Sequence, residues 1–216
     1  LKLIEQRDKT KDYYVRGTFT RDNLDFSNDV VSIADLGVDS ISVEPVTADD
    51  SDPYSLREQD LPAIYAEYEK LAKIMLQRKD FNFFHFNVDL SQGPCVIKRM
   101  RGCGAGCEYV AVTPDGDLYP CHQFVGKEEF CMGSVLTGAF DMEIANQFAG
   151  LNIYTREDCQ DCWARFYCSG GCSAANLNAN GDMKKPYKLG CDMQRKRLEC
   201  AIAMKAIEAG AAKIPE

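Results

Sequence analysis

A short run of cysteines in the second half of the chain has the spacing of a metal site. The run C-x2-C-x5-C-x3-C consists of Cys159, Cys162, Cys168 and Cys172. A C-x2-C turn points two thiolates at one centre, and the backbone amides of the turn can donate hydrogen bonds to sulfur. Gly170 and Gly171 would let the backbone approach a bulky inorganic core. The run therefore predicts a thiolate-ligated metal centre.

The chain is rich in cysteine, and zinc and iron–sulfur clusters are both open as the bound metal. It has 11 cysteines and 2 histidines in 216 residues, so thiolates must dominate any metal site. An odd number of cysteines fits poorly with a complete set of disulfides, which the cytosol would in any case reduce. C-x2-C pairs are commoner in zinc ribbons, whereas the number of cysteines and the irregular later spacings favour iron–sulfur clusters. Spacing alone leaves the two metals near even.

Composition argues against several classes of protein. The formal net charge of −8 disfavours a nucleic-acid partner, because binding to phosphates depends on Lys and Arg. No segment approaches the roughly 18 consecutive apolar residues that span a bilayer, and the charged start of the chain lacks the apolar core of a signal peptide. We therefore expect a cytoplasmic protein with no membrane partner.

The elements that must position these residues begin with an α/β half that contains no cysteine. Alternation of apolar and polar residues predicts strands over 13–20, 40–46 and 83–90. Apolar residues at helical spacing predict helices over 28–36 and 59–79. Strands that alternate with helices are typical of a parallel sheet.

Polar residues recur on one face of all three predicted strands. They are Arg16, Thr18, Ser42, Glu44, His85 and Asn87. Both faces of a parallel sheet covered by helices should be apolar, so this face suggests the interior of a barrel or half-barrel that holds a polar ligand. Two simpler alternatives remain open: antiparallel strands with one solvated face, or polar pairs that satisfy each other.

The second half of the chain is loop-rich. Its predicted elements are a hairpin, with strands over 109–113 and 118–121 around a turn at 114–117, and a helix over 193–209. The turn returns Cys121 to the neighbourhood of Cys103 and Cys107. The hairpin is therefore expected to gather thiols that lie far from the C-x2-C run in sequence.

The wider pattern of cysteines resembles that of the SPASM domain. Along the chain it consists of Cys103, twelve residues, Gly116, four residues, Cys121, a gap, the C-x2-C-x5-C-x3-C run, a second gap and Cys191. The SPASM domain follows the catalytic barrel in radical S-adenosylmethionine (radical SAM) enzymes that modify peptides. Segments 101–109 and 119–126 are most similar to the SCIFF maturases, which install thioether crosslinks in a six-cysteine ribosomal peptide.

The resemblance implies an α/β fold with two domains. Residues 1–92 would be the C-terminal strands and helices of a partial (β/α)6 radical SAM barrel, and residues 93–216 a SPASM domain with a β-hairpin and a C-terminal helix. The chain has no C-x3-C-x2-C motif, which binds the cluster that cleaves S-adenosylmethionine in this family. We therefore expect the C-terminal part of a longer enzyme, with a third [4Fe-4S] cluster in an upstream segment. Arg16 and Glu44 are the candidates for the S-adenosylmethionine and substrate pocket.

Two auxiliary [4Fe-4S] clusters with interleaved ligands are also implied. The ligands of the first are Cys103, Cys121 and Cys172, and those of the second are Cys159, Cys162, Cys168 and Cys191. The fourth position of the first cluster is either filled by Cys107 or left open for a substrate thiolate, and the short spacing from Cys103 favours the open site. Cys95, Cys131 and Cys200 lie outside the pattern and are expected to be small structural thiols.

The implied function is the maturation of a ribosomally synthesised, cysteine-rich precursor peptide by a Cys-to-α-carbon thioether, as in a sactipeptide. The auxiliary clusters would bind the substrate thiolate and handle electrons that a donor such as ferredoxin or flavodoxin supplies. One alternative is another SPASM enzyme, such as a sulfatase maturase or a carbon–carbon crosslinking maturase. The other is a non-catalytic cysteine-rich module that carries electrons or folds around metal.

Overall fold

The chain forms two compact units. The computed structural model describes residues 2–6, 8, 12–49, 51–90 and 100–212. One unit comprises Leu1–Ser91 and Cys191–Glu216, and we call it the sheet unit. The other comprises Gln92–Gly190, and we call it the cysteine unit. The sequence suggests a single boundary near residue 92, whereas here the last segment of the chain is assigned to the sheet unit.

The sheet unit is built on three parallel strands in the order β1-β2-β3. The strands are β1 (Val15–Phe19), β2 (Ser40–Pro45) and β3 (Asn82–Phe83). In register, Ile41 of β2 lies between Val15 of β1 and Phe83 of β3. The pairing is parallel, as the alternation of strands and helices predicts, and the antiparallel alternative is wrong.

The third strand is much shorter than the sequence pattern predicts. That pattern predicts a strand over 83–90, whereas β3 ends at Phe83 and a 3-10 helix spans Phe84–Phe86. Phe83 and Phe86 are both buried, and their ring centroids lie 5.2 Å apart. Residues three apart lie on opposite faces of a strand, so the chain must turn for both rings to enter the core. Phe84, which simple alternation groups with Phe86, is 63% exposed.

Helices of the sheet unit carry its apolar core. They begin with α1 (Lys2–Glu5), α2 (Phe26–Asp35) and α3 (Leu61–Gln77), and a 3-10 helix (Glu58–Asp60) precedes α3. The predicted stripe of α3 is buried at Ile64, Tyr68, Leu71, Ala72 and Met75. The Phe26 ring stacks on Phe19 at 4.5 Å and meets the edge of Tyr68 at 4.9 Å. An aromatic cluster therefore joins β1, α2 and α3.

The last helix, α8 (Lys188–Glu208), explains why the end of the chain belongs to the sheet unit. Lys196 forms an ion pair with Glu69 of α3, and its ammonium lies 5.7 Å from the centroid of the Tyr65 ring. Lys79 pairs with Glu208 at 2.7 Å. These contacts attach α8 to α3 and to the residues that follow α3.

The cysteine unit contains a four-stranded antiparallel sheet in the order β4-β5-β6-β7. Its strands are β4 (Ala111–Val112), β5 (Asp117–Tyr119), β6 (Gly133–Ser134) and β7 (Ala139–Phe140). Gly116 has a φ of +88° in the turn between β4 and β5, and its N–H donates to Thr113 O at 2.9 Å. Only glycine adopts this conformation without strain. β6 and β7 carry no alternation signal, because each is two residues long.

Short helices complete the cysteine unit. They are α4 (Met142–Ala149), α5 (Glu157–Gln160), α6 (Arg165–Cys168) and α7 (Ser173–Asn180). Asp141 caps α4, since its carboxylate accepts from the N–H groups of Glu143 and Ile144. Phe148 of α4 packs edge-on against Phe124, with centroids 5.1 Å apart, inside the core of the unit. Among the described residues, none of the helices combines the length and apolarity needed to cross a membrane.

Removal of the Phe26 ring tests the aromatic core of the sheet unit. Phe26 is 0% exposed, so Phe26→Ala should lower the free energy of unfolding by about 3–5 kcal/mol. Phe84→Ala makes the same chemical change at an exposed ring and should lower it by less than about 1 kcal/mol. Urea titration followed by far-UV circular dichroism measures both. Equal losses in the two variants would contradict this account of the core.

Candidate functional site

Three thiols of the cysteine unit lie within electrostatic reach of one tyrosine, Tyr109. We call Cys103, Cys121 and Cys172 the Cys103 group. The Gly106 N–H donates to Pro120 O at 3.0 Å, which ties the loop after Cys103 to the residue before Cys121. Cys172 precedes the first residue of α7 and occupies its N-cap position. A loop, a strand end and a helix start thus supply one thiol each.

Tyr109 is affected by all three thiols of the Cys103 group. Its hydroxyl donates to Cys103 Sγ at 3.9 Å. Although 45% of the residue is exposed, burial of its hydroxyl end raises the pKa of Tyr109, and the thiols of the Cys103 group raise it further. Burial likewise raises the pKa of Cys121, with added contributions from Cys172 and Cys103. These contributions place the three thiols within electrostatic reach of Tyr109 and of Cys121.

A second set of thiols forms around the C-x2-C turn. We call Cys159, Cys162 and Cys168 the Cys159 group. The Cys162 N–H donates to Cys159 O at 3.2 Å and closes the turn. Cys168 ends α6, where its N–H donates to Ala164 O at 2.8 Å. Burial raises the pKa of Cys159, the thiols of Cys168 and Cys162 raise it further, and Arg156 lowers it.

The remaining cysteines are placed differently. Cys107 is exposed, and its Sγ donates to Gly104 O at 3.4 Å. Cys200 is buried in α8, and burial raises its pKa to about 11, as suits a packed neutral thiol. Cys131 is half-buried. Cys95 lies outside the described residues.

Cys191 lies on α8 and belongs to the sheet unit. Its role as the fourth ligand of the second cluster stays a prediction.

The donors of both thiol groups fit iron–sulfur clusters. Such clusters take cysteine thiolates almost to the exclusion of other ligands, and each group consists of three cysteines. Within the described ranges, no three His, Cys, Asp or Glu side chains are arranged to hold a single metal ion. The assignment of the seven cysteines as cluster ligands stays a prediction.

A buried arginine lies within electrostatic reach of both thiol groups. Arg156 is 1% exposed; its Nε donates to Met183 O at 3.3 Å and its Nη2 to Ser173 Oγ at 3.2 Å. Burial lowers the pKa of Arg156, and the thiols of both groups oppose that shift. The sequence gives no signal for this residue, because it stands in an ordinary charged stretch before α5.

Arg16 and Glu44 line a cavity of about 560 Å³ in the sheet unit. Its other lining residues are Asp12, Tyr13, Tyr14, Asp39, Ser40, Ser42, Asn82 and Phe84. Arg16 and Glu44 form an ion pair with each other, so one of the simpler alternatives, a self-satisfied polar pair, holds for them. A cavity of this size can hold a cofactor or part of a peptide.

A neutral histidine stands beside this cavity. Arg197 Nη1 lies 2.9 Å from His85 Nδ1, and because arginine can only donate, Nδ1 must accept. The ring proton is therefore on Nε2, which donates to Ser42 Oγ at 2.9 Å. Burial, Arg197 and Arg16 lower the pKa of His85 to about 3. Arg197 was not among the sequence candidates, because the last helix carries no visible link to the strands.

One comparison with known proteins identifies a class of domain. The model of SPASM, an iron–sulfur cluster-binding domain, matches residues 103–163. This segment contains four of the seven predicted ligands, namely Cys103, Cys121, Cys159 and Cys162. The match covers less than a third of the chain. Over this segment, the resemblance to the SPASM domain is confirmed.

Solved structures show the fold of the chain more broadly. Native anSMEcpe with bound AdoMet aligns with a TM-score of 0.64 at 14% identity, over 94% of this chain and 58% of that one. Native anSMEcpe with bound AdoMet and Kp18Cys peptide aligns with a TM-score of 0.62 at 14% identity, over 93% and 59%. The fold is thus a mixed α/β fold similar to part of anSMEcpe. The chain spans well under two thirds of the length of anSMEcpe.

A relative from Archaeoglobus fulgidus, an uncharacterized protein, is 30% identical over 110 residues. The alignment covers 49% of this chain and 24% of the archaeal protein. This chain therefore aligns with about a quarter of that relative.

The environment of His85 predicts a specific pH dependence of stability. Its pKa falls from about 6.5 in the unfolded chain to about 3 in the folded one, so the unfolded state binds more protons between these values. The contribution of His85 to the free energy of unfolding is complete above pH 6.5. It is lost as the pH falls toward 3, by at most about 1.4 kcal/mol per pH unit. In His85→Gln, this contribution to the slope of the free energy of unfolding against pH should disappear. His122→Gln, at the exposed second histidine, should keep the wild-type slope in urea titrations from pH 7 to 5. Identical slopes in wild type and His85→Gln would contradict the assignment.

Proposed function

We propose that this chain is the C-terminal part of a radical SAM enzyme that forms a Cys-to-α-carbon thioether in a cysteine-rich ribosomal peptide. The observation that carries the proposal is the match of residues 103–163 to an iron–sulfur cluster-binding domain. Two sets of thiols, within electrostatic reach of Tyr109 and of Cys159, support it. The similarity of fold to anSMEcpe with bound AdoMet supports the radical SAM class. The SCIFF type rests on the sequence of segments 101–109 and 119–126.

In this proposal, the Cys103 group leaves one coordination position of its cluster for the substrate. It offers three thiols, and Cys107 is exposed with its Sγ directed to Gly104 O. Cys103 and Cys172 are themselves exposed, so a peptide thiolate can approach the group from solvent. Bound in this way, the peptide cysteine is held deprotonated and fixed in position before the bond forms.

The cavity of the sheet unit is the proposed site for S-adenosylmethionine and the adjoining part of the peptide. Arg16 can donate to a carboxylate and Glu44 can accept from an ammonium group, which are the charged ends of the amino-acid moiety. When bound, this cofactor and the upstream cluster supply the one-electron chemistry that the reaction needs. The side chains of the cavity would bind and orient the cofactor and the adjoining part of the peptide. The proposed partners are the precursor peptide, the upstream segment, and a ferredoxin or flavodoxin, in the cytoplasm.

Iron and sulfide analysis after anaerobic purification tests the cluster assignment. We expect about eight iron and eight sulfide per chain in the wild type. Cys121→Ser and Cys159→Ser should each lose about four of both, because each variant removes a ligand from one cluster. Cys107→Ala and Cys200→Ala should keep the wild-type content. Zinc without sulfide would support a structural metal module instead, and loss of iron in Cys107→Ala would contradict the open coordination position.

Product analysis tests the reaction. The protein with its upstream segment, a reductant and S-adenosylmethionine should convert a cysteine-rich precursor peptide to a product lighter by two hydrogen atoms. Its cysteine should resist alkylation, since the sulfur is bonded to carbon. Cys121→Ser should abolish the product, whereas Cys200→Ala should leave it unchanged. A product with a free thiol would indicate carbon–carbon crosslinking, and an aldehyde in place of cysteine would indicate a sulfatase-maturase reaction; either would overturn the thioether assignment.

A further inference from the structure

The two thiol groups share a buried cation. Arg156 is 1% exposed, and the two acceptors of its Nε and Nη2, Met183 O and Ser173 Oγ, are both neutral. Within the described part of the chain, no hydrogen-bond acceptor is placed for Nη1. A buried charge suffers a large desolvation penalty unless an opposite charge and hydrogen bonds offset it. The protein groups that bond to Arg156 supply only the hydrogen bonds.

Thiols of both groups provide the missing negative charge. The sulfur groups that act on the Arg156 guanidinium are Cys159 and Cys168 from the Cys159 group, and Cys172 and Cys103 from the Cys103 group. Each of these carries a negative charge once it ligates iron, because the thiolate is the ligand form. With clusters held at both groups, the guanidinium would lie within electrostatic reach of two anionic centres.

The absence of a side chain at Gly170 leaves space for the Arg156 guanidinium. Gly170 has a φ of +86°, and a Cβ added there would lie 2.3 Å from Arg156 Nη1. Nη1 thus occupies space that any other residue at position 170 would fill. From its sequence position, Gly170 was expected to admit an inorganic core to the backbone. In the structure, the guanidinium of Arg156 occupies the space beside Gly170, which lies between Cys168 and Cys172 in sequence.

We propose that Arg156 is a positioning residue shared by the two auxiliary clusters. Its guanidinium supplies a counter-charge to both, and Nη1 donates a hydrogen bond to a cluster sulfur, so that both reduction potentials are raised. The inference rests on the proposed function, since it requires iron–sulfur clusters at the two thiol groups. A cation near a cluster stabilises the reduced form, which has the greater negative charge, and hydrogen bonds to sulfur act in the same direction.

Potentials measured on charge variants test the proposal. The protein is purified anaerobically with its clusters, and the reduced fraction of each cluster is followed by electron paramagnetic resonance during titration with a chemical reductant. Cys121→Ser and Cys159→Ser identify which signal belongs to which cluster. At the poise that half-reduces the wild type, Arg156→Met should lower the reduced-to-oxidised ratio of both clusters by about threefold or more. Arg156→Lys keeps the charge and should recover most of this loss. Lys185→Met, at an exposed lysine of the same unit, should change neither ratio.

The outcomes separate this inference from the proposed function. A wild-type protein without iron and sulfide would overturn the proposed function. Clusters present in Arg156→Met with unchanged potentials, or a shift confined to one cluster, would overturn only the shared role of Arg156. If Arg156→Met fails to retain iron, Arg156→Lys decides the question. Full iron content and wild-type potentials in Arg156→Lys would support the role of charge. An equal failure of Arg156→Lys would assign Arg156 to the packing of Met183 and Ser173 alone.

Discussion

Two groups of thiols have to be held at fixed points by a unit with little regular secondary structure. Members of the Cys103 group are separated by many residues in sequence, so no single helix or strand can supply them. Backbone hydrogen bonds fix them instead, above all the Gly106 N–H on Pro120 O, which joins a loop to a strand end. Cys121 itself belongs to the apolar core of the unit, together with Phe124 and Phe148. The strands and helices of the cysteine unit are short because each thiol is carried at the end of a different strand, helix or loop.

The sheet unit meets the opposite demand, which is to keep charged groups stable in a partly closed cavity. Arg16 and Glu44 neutralise each other on neighbouring parallel strands, and His85 is held neutral by burial and by the donor group of Arg197. The last helix thus sets the protonation of His85, whose ring bonds to Ser42 of the cavity lining, as well as packing against α3. A ligand with charged ends could replace the Arg16–Glu44 ion pair at little cost, because both side chains are partly exposed.

The features that sequence reasoning recovered are those with a long, regular signal. The stripe along α3 and the alternation around Val15 gave a helix and a parallel strand, because burial of one face repeats over many residues. The turn at Phe84–Phe86 breaks that repeat over three residues, too few for a periodicity to reveal. The pattern of cysteines, through its resemblance to the SPASM domain, suggested how the thiols group, and the assignment of the ligands stays a prediction. That pattern said nothing of Tyr109, whose contact with Cys103 depends on how a loop folds.

The side chain at position 156 and the backbone at position 170 compete for the same space, although thirteen residues lie between them in sequence. Because the guanidinium stands where a Cβ at position 170 would lie, any side chain there requires the guanidinium to move. Without it, the left-handed backbone would be the only restriction left, and asparagine or aspartate tolerates that conformation. Natural variation at the two sites should therefore be correlated: glycine should be favoured where arginine is kept, and more often replaced where a smaller residue stands in place of arginine.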